Sequence, residues 1–264
     1  MRPLIRELVD TVVAVVGRDA SGLTILDVAT GPGEPAFSLA KALPGSLVTA
    51  TDFAPGMVAE AETRAKEQGL EGKLRFAVAD GEDLCDFATG SMDVVTCNCA
   101  VFMMPHHDRA LAEFHRVLKP GGLLVATAWS TVPEQTDIIR VMMGTCLAMD
   151  PDAGKAMQAI KKFATNAQFV EVFRTAGFQN VQSRDVNCPA HIPAASIQGA
   201  FIDNAMLQQL WERLEAGGRP TVRQEAEEAL VRIAAEQGFL QPDGSLTMPT
   251  NVAVMVTGRA AGSR

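Results

Sequence analysis

The chain has 264 residues, is 47% apolar and carries a formal charge of −8 at pH 7, enough to bury one large α/β core, with or without a cap, and without help from disulfides. An acidic surface repels phosphates and anionic bilayers alike, which excludes a function that rests on neutralising nucleic acid. Cys85, Cys97, Cys99, Cys146 and Cys188 are odd in number and lack the paired spacing of a zinc or redox site, so they read as free thiols of a reducing compartment.

Near the start, Leu4, Ile5, Leu8, Val9, Val12, Val13 and Val16 fall at helical spacing. Glu7 and Asp10 interrupt this run too early for a signal peptide or a membrane span, and a cytoplasmic protein without stable membrane insertion is expected. Apolar runs at Leu23–Val28, Leu47–Ala50, Leu74–Ala77, Val94–Cys97 and Leu123–Ala126 alternate with helical stretches, a βαβαβ pattern that implies a doubly wound parallel sheet. Glu60–Gln68 and the stripe Ala110, Leu111, Phe114, Val117 and Leu118, capped by Asp108, are the covering helices. Residues 130–165 read as helical and Met-rich. Asn166 as N-cap, Phe169, Val172, Phe173 and Ala176 as the apolar face and Gly177 as the stop outline the next helix, followed by a strand over Val181–Val186. In the segment 188–247, Gly217-Gly218-Arg219-Pro220 separates two helices, and Thr221 with Gln224 forms a capping-box pattern for a helix that stops at Gly238. A last strand spans Val252–Thr257. These elements divide into a core over 1–187, a helical cap over 188–247 and a final strand with tail over 248–264; there is no internal repeat.

The segment Ile25-Leu26-Asp27-Val28-Ala29-Thr30-Gly31-Pro32-Gly33-Glu34-Pro35 sets a buried strand before a glycine turn and a helix that opens at Pro35. Gly31 and Gly33 admit a ligand close to the backbone, and Asp52, about 20 residues on at the end of the second strand, suits the two hydroxyls of a ribose. This much indicates a nucleoside cofactor, and Gly31-Pro32-Gly33-Glu34-Pro35-Ala36 also fits the dinucleotide pattern. Asp27 sets a negative charge beside the loop, which favours an ammonium and sulfonium ligand over a pyrophosphate.

Asp27 to Gly33, Asp52, Asp80-Gly81-Glu82-Asp83-Leu84, Ser91-Met92-Asp93-Val94-Val95 and Arg116-Val117-Leu118-Lys119-Pro120-Gly121-Gly122 follow one another as in class I S-adenosylmethionine-dependent methyltransferases. The chain most resembles the ubiquinone/menaquinone-biosynthesis type, over about residues 23–130 and more loosely over 166–186. The resemblance implies an α/β, Rossmann-like, mostly parallel seven-stranded sheet with its last strand antiparallel, S-adenosyl-L-methionine as cofactor, and a small-molecule methyl acceptor. It implies that Asp27 and the backbone of Ala29, Thr30, Gly31 and Gly33 hold the methionine part, that Asp52 binds the ribose, and that Phe53 and Met57 flank the adenine. Asp80 would accept from the adenine amino group, the Gly81 amide would meet a ring nitrogen, and backbone near Cys97 or Asn98 would meet the ammonium. Lys119 to Gly122 would be a structural turn. Pro35 stands where many relatives carry a third glycine. Relatives carry a longer N-terminal segment over the cofactor, so cover is expected from 130–165 and 188–247 or from a second subunit, the protein being a monomer or a homodimer.

Methyl transfer from a sulfonium needs alignment and exclusion of water more than catalytic side chains. Where the acceptor carries a proton, His106 and His107 after the fourth strand are the candidate bases, against a capping or surface role. His115 reads as structural and His191 as a loop histidine. Phe102, Met103 and Trp129 are candidates for acceptor contact. Met103, Met104, Met142, Met143, Met149, Met157 and Met206 serve as core filler or as pocket lining for a hydrophobic acceptor. Cys97 and Cys99, two apart on a strand and so on one face, read as packing, and no metal site is expected. The rival enzymatic reading is a dinucleotide-dependent oxidoreductase, whose Tyr-and-Lys version is impossible in a chain without tyrosine; a non-catalytic S-adenosylmethionine-binding protein is the other. Nucleic-acid amino-methyltransferases are disfavoured by Asn98-Cys99-Ala100-Val101, which replaces their Asn/Asp-Pro-Pro-aromatic motif.

Overall fold

The computed structural model describes residues 3–130, 136–152, 166–203 and 205–261. They fall into two compact units, one of residues 1–129, 165–186 and 253–264 and the other of 130–164 and 187–252.

In the first unit the five apolar runs from Leu23 to Ala126 fall in the strands β1 (Thr24–Val28), β2 (Leu47–Asp52), β3 (Leu74–Val78), β4 (Met92–Asn98) and β5 (Leu118–Trp129), and the two later strands expected from the sequence are β6 (Gln179–Asn187) and β9 (Val252–Arg259). They form one sheet in the order β3-β2-β1-β4-β5-β9-β6. The pairs β1–β2, β1–β4, β2–β3 and β4–β5 are parallel, and β9 enters antiparallel to β5. Ile25, Leu26 and Val28 of β1 are buried, as a central parallel strand covered on both faces requires. Helices α1 (Pro3–Val16), α2 (Ala36–Ala42), α3 (Pro55–Glu67), α4 (His107–Val117) and α6 (Asn166–Thr175) belong to this unit. The α1 stripe Leu4, Ile5, Leu8, Val9, Val12 and Val13 is buried throughout, and each such side chain contributes about 1.5–3 kcal/mol when fully removed from water.

Several helix starts differ in detail from expectation. Asp108 lies inside the first turn of α4, whose N-cap is His106; the His106 amide is taken by Glu82 Oε1 at 2.7 Å, a partner 24 residues away. Pro35 precedes α2 instead of opening it. Asn166 is itself the first residue of α6, and its side-chain amide donates to Asp185 at 3.0 Å. Gly177, at φ +91°, and Gly238, at φ +76°, stop their helices by adopting the left-handed conformation.

The second unit holds α5 (Asp137–Met149), α7 (Ala205–Ala216), α8 (Val222–Glu236) and the antiparallel pair β7 (Ala190–Ile192) and β8 (Leu246–Met248). Helices α5 and α8 pack together, with Gly144 set against Ile233. Trp211 is fully buried and its indole N–H donates to the Ile202 carbonyl at 2.7 Å. At the start of α8 the Thr221 hydroxyl bonds Glu225 at 2.7 Å instead of capping the helix amides, so the capping-box geometry is not formed. Met157 lies outside the described residues. No described helix is long and apolar enough to cross a membrane.

Candidate functional site

The order β3-β2-β1-β4 places the loops that leave these strands side by side at their carboxyl ends, and the chain reverses direction across the sheet between β1 and β4, where open α/β sheets bind ligands. The loop after β1 turns through three left-handed residues, Ala29 at φ 57°, Gly31 at φ 55° and Gly33 at φ 111°. It is tied to β2 by Thr30 N–H on the Thr51 carbonyl at 2.8 Å and by Gly31 N–H on Asp52 Oδ2 at 2.9 Å. Asp52 Oδ1 accepts the Ala54 amide at 3.0 Å, and Arg64 of α3 donates to the Pro32 carbonyl at 3.1 Å. The two glycines do different work. A Cβ on Gly33 would lie 2.0 Å from the Phe37 ring, so Gly33 is required by packing; one on Gly31 would meet nothing within 4 Å, so its open side is available to a ligand.

Asp27 at the end of β1 is fully buried. Its Oδ1 accepts the Thr96 hydroxyl at 2.6 Å from the paired position of β4. Among the described residues neither its Oδ2 nor the buried Thr30 hydroxyl has a partner of full hydrogen-bond geometry, although the Thr30 hydroxyl and the Ala36 amide lie close enough to temper the carboxylate's charge. Burial pushes the Asp27 carboxyl up to about 7, with Glu34 adding to the rise and Thr96, Thr30 and the Ala36 amide moderating it. No described cation offsets this charge, so the site is complementary to a positive ligand.

Beside this acidic end lies an apolar one. Phe53 is 74% exposed, Met57 38%, Val78 51% and Met103 48%; they occupy the exit of β2, the first turn of α3, the end of β3 and the segment after β4. Four of the six exposed large hydrophobic side chains of the described residues thus sit at this edge of the sheet. Asp80 follows β3, its Oδ1 accepting the Glu82 amide at 2.9 Å. Gly81 is buried, with Met104 filling the volume that a Cβ would need.

At the exit of β4, Asn98 Oδ1 accepts the Thr127 hydroxyl at 2.8 Å, and the Cys99 amide donates to the Thr127 carbonyl at 3.1 Å. β4 ends at Asn98 and Cys99 has φ +55°, so Cys97 and Cys99 do not share one strand face. Cys97 is fully buried and its thiol is pushed up, first by desolvation and then by Asp27, which makes it an inert packing group. His106 is exposed, His107 is half-buried at the first position of α4, and Phe102 and Trp129 are half-buried. His115 accepts the Ala261 amide at 3.2 Å and packs edge-on against Phe178, a structural role. In the second unit, the His191 ring contacts the Thr247 hydroxyl at 3.3 Å.

Sequence reading missed Thr96 and Thr127, small strand residues whose only signal is their register opposite Asp27 and Asn98. It noted Arg116 without assigning it work. Among the described residues no group of three or more His, Cys, Asp or Glu side chains is arranged to hold a metal ion.

A methyltransferase domain family matches residues 26–126. The ubiquinone/menaquinone biosynthesis C-methyltransferase UbiE of Cereibacter sphaeroides is 32% identical over 177 residues, 63% of this chain and 70% of that protein. The chain belongs to the class I S-adenosylmethionine-dependent methyltransferases. The YcgJ protein of Bacillus subtilis shares the fold of this methyltransferase at a TM-score of 0.62 and 19% identity, covering 98% of this chain and 100% of that one. The [4+2]-cyclase SpnF shares it at 0.61 and 22% identity, covering 97% and 81%. Fold alone therefore does not fix the reaction; family membership makes this an enzyme that uses S-adenosylmethionine. An unpartnered buried carboxylate, an open glycine face and an exposed apolar shelf fit that cofactor's cation, backbone contacts and adenine.

Proposed function

We propose that this methyltransferase methylates a carbon, or a neighbouring phenolic oxygen, of a small hydrophobic ring of quinol type. The observation that carries the cofactor half is the juxtaposition of buried, uncompensated Asp27 with the exposed shelf of Phe53, Met57 and Val78. The acceptor half is supported by the C-methylating relatives of ubiquinone and menaquinone biosynthesis and by the exposed Met103 beside half-buried Phe102.

In this assignment Asp27 and the Ala29, Thr30, Gly31 and Gly33 backbone hold the methionine moiety, with backbone near Cys97 and Asn98 taking the ammonium. Asp52 holds the ribose hydroxyls, which donate to lone pairs that the Gly31 and Ala54 amides leave over. Phe53 and Met57 flank the adenine, while Asp80 and the Gly81 amide read its edge. Phe102, Met103 and Trp129 contact the acceptor. The bound cofactor supplies an electrophilic methyl group, so the protein's task is to align the acceptor with the carbon–sulfur bond and to keep water out. His106 or His107 takes the proton of the acceptor hydroxyl, which raises electron density on the ring carbon that attacks.

The test is incubation with S-adenosylmethionine and a panel of quinols, phenols, terpenoids and amines, with mass spectrometry and NMR of the products. One methyl on a ring carbon or phenolic oxygen is expected. Transfer only to amines overturns the acceptor assignment.

A further inference from the structure

The turn that carries Asp80 and Gly81 is gripped by α4 with more hydrogen bonds than a surface loop requires. Arg116 uses all five of its N–H groups on Glu113 or on residues 84–89, the stretch that leads directly out of that turn. Nε donates to Glu113 Oε1 at 2.7 Å, and Nη2 to Glu113 Oε2 at 2.7 Å and to the Leu84 carbonyl at 2.9 Å. Nη1 donates to the Phe87 carbonyl at 2.9 Å and the Thr89 hydroxyl at 3.3 Å. Glu113 Oε2 in turn accepts the Leu84 amide at 2.8 Å, so both backbone groups of Leu84 are held. Upstream, Glu82 Oε1 accepts the His106 amide at 2.7 Å and Met104 packs onto Gly81. The Asp80–Glu82 turn is therefore fixed on both sides by the segment 104–116.

We propose that Arg116, braced by Glu113, is a positioning residue that sets the register of the Asp80–Gly81 turn and thereby the enzyme's preference for an adenine base. This rests on the assignment of Asp80 and Gly81 to the adenine edge. The edge offers an amine donor and a ring-nitrogen acceptor; hypoxanthine reverses both, presenting a carbonyl to Asp80 and an N–H to the Gly81 amide. A turn in register rejects the reversed pattern because each polar group then faces its like. A turn displaced by even about 1 Å loses that discrimination.

Calorimetric titration of the full chain with S-adenosylhomocysteine and S-inosylhomocysteine reads the preference as a ratio of affinities. The wild type should favour the adenosyl ligand by about tenfold or more. Arg116→Lys keeps a cation beside Glu113 but cannot bridge it to the Leu84 and Phe87 carbonyls, and should bring the ratio below about threefold with the inosyl affinity little changed. Glu113→Gln should lower it in the same direction and gives an independent reading if an Arg116 variant does not fold. A wild-type ratio retained in both variants, or an equal loss of both ligands, overturns the positioning role. A wild type that takes both ligands equally overturns the base-edge assignment of Asp80 together with it, while the Asp27 and Asp52 assignments keep their own tests.

Discussion

Replacing Asp27 by Asn should make the apo protein more stable above neutral pH and the holoenzyme worse. In the wild type the folded carboxyl is raised from 3.8 to about 7 by burial. Between those values the native state binds more protons than the unfolded chain, so this group's contribution to stability falls as pH rises through the window and is at its least favourable above 7. The penalty is at most of order 4 kcal/mol, from about 1.4 kcal/mol per pH unit. Asn keeps an acceptor for the Thr96 hydroxyl, now 2.6 Å from Asp27 Oδ1, and adds an amide beside the unpartnered Thr30 hydroxyl, so it removes the charge without removing the bond. A cationic ligand selects the ionised carboxylate. Wild-type affinity for S-adenosylmethionine should therefore weaken about tenfold from pH 8 to pH 6, and binding at pH 6 should release about 0.9 proton. Calorimetry in buffers of different ionisation enthalpy measures the release directly. Asp27→Asn should bind more weakly at pH 8, show neither effect and melt higher than wild type there. A wild-type affinity flat from pH 6 to 8 with no proton released would refute the role of Asp27 as the cation's partner.

Asp52→Ala leaves the Gly31 and Ala54 amides without their carboxylate, a cost of about 1–3 kcal/mol for each donor that water does not reach. Affinity for S-adenosylmethionine should drop by about tenfold or more, and an unchanged calorimetric constant would remove Asp52 from the site. The two loop glycines should separate folding from binding. Gly33→Ala drives a methyl into the Phe37 ring at a φ of +111° and should lower the melting temperature by several degrees, about 1–3 kcal/mol. Gly31→Ala costs only about 1–2 kcal/mol of left-handed strain and meets no protein atom, yet should weaken cofactor binding; wild-type affinity in that variant would show that the open side of the loop is not where the ligand lies.

The central strands were legible because burial on both faces of a parallel sheet writes continuous apolar runs into the sequence, whereas the order β3-β2-β1-β4-β5-β9-β6 is set by tertiary pairing that those runs do not encode. The covering helices were legible through stripes such as Leu111, Phe114 and Val117. Helix caps were not: the His106 amide is satisfied by Glu82 and Thr221 prefers Glu225, choices made by tertiary neighbours that no local pattern encodes. Glycine spacing located the turn but not the difference between Gly31 and Gly33, which depends on where the Phe37 ring packs. Thr96 and Thr127 read as ordinary strand threonines, and only register reveals that each meets a site residue. The Arg116 motif was visible as a string of letters, whereas its five-way clamp depends on a loop about 30 residues earlier in the chain.

The strain in this edge of the sheet is held by the scaffold itself. Ala29 and Cys99 leave paired strands β1 and β4 in the left-handed conformation, at φ 57° and 55°, where a side chain costs energy. Each is followed or fixed by a backbone bond to the next strand outward, Thr30 to Thr51 of β2 and Cys99 to Thr127 of β5, at 2.8 and 3.1 Å. Because neighbouring strands meet the cost of these turns, the ligand does not have to order them, and little of its binding energy is lost to immobilising loops. Asp27 is the opposite case: its unpartnered oxygen stays unfavourable until a cation arrives. The backbone is thus preorganised and the charge is left uncompensated, an arrangement in which affinity depends on the ligand's positive charge far more than on its ability to reshape the protein. Donor and demethylated product both keep the ammonium group, so only the sulfonium's added positive charge separates them; ionised Asp27 should therefore favour the methylated donor over its thioether product, which helps the product leave after transfer.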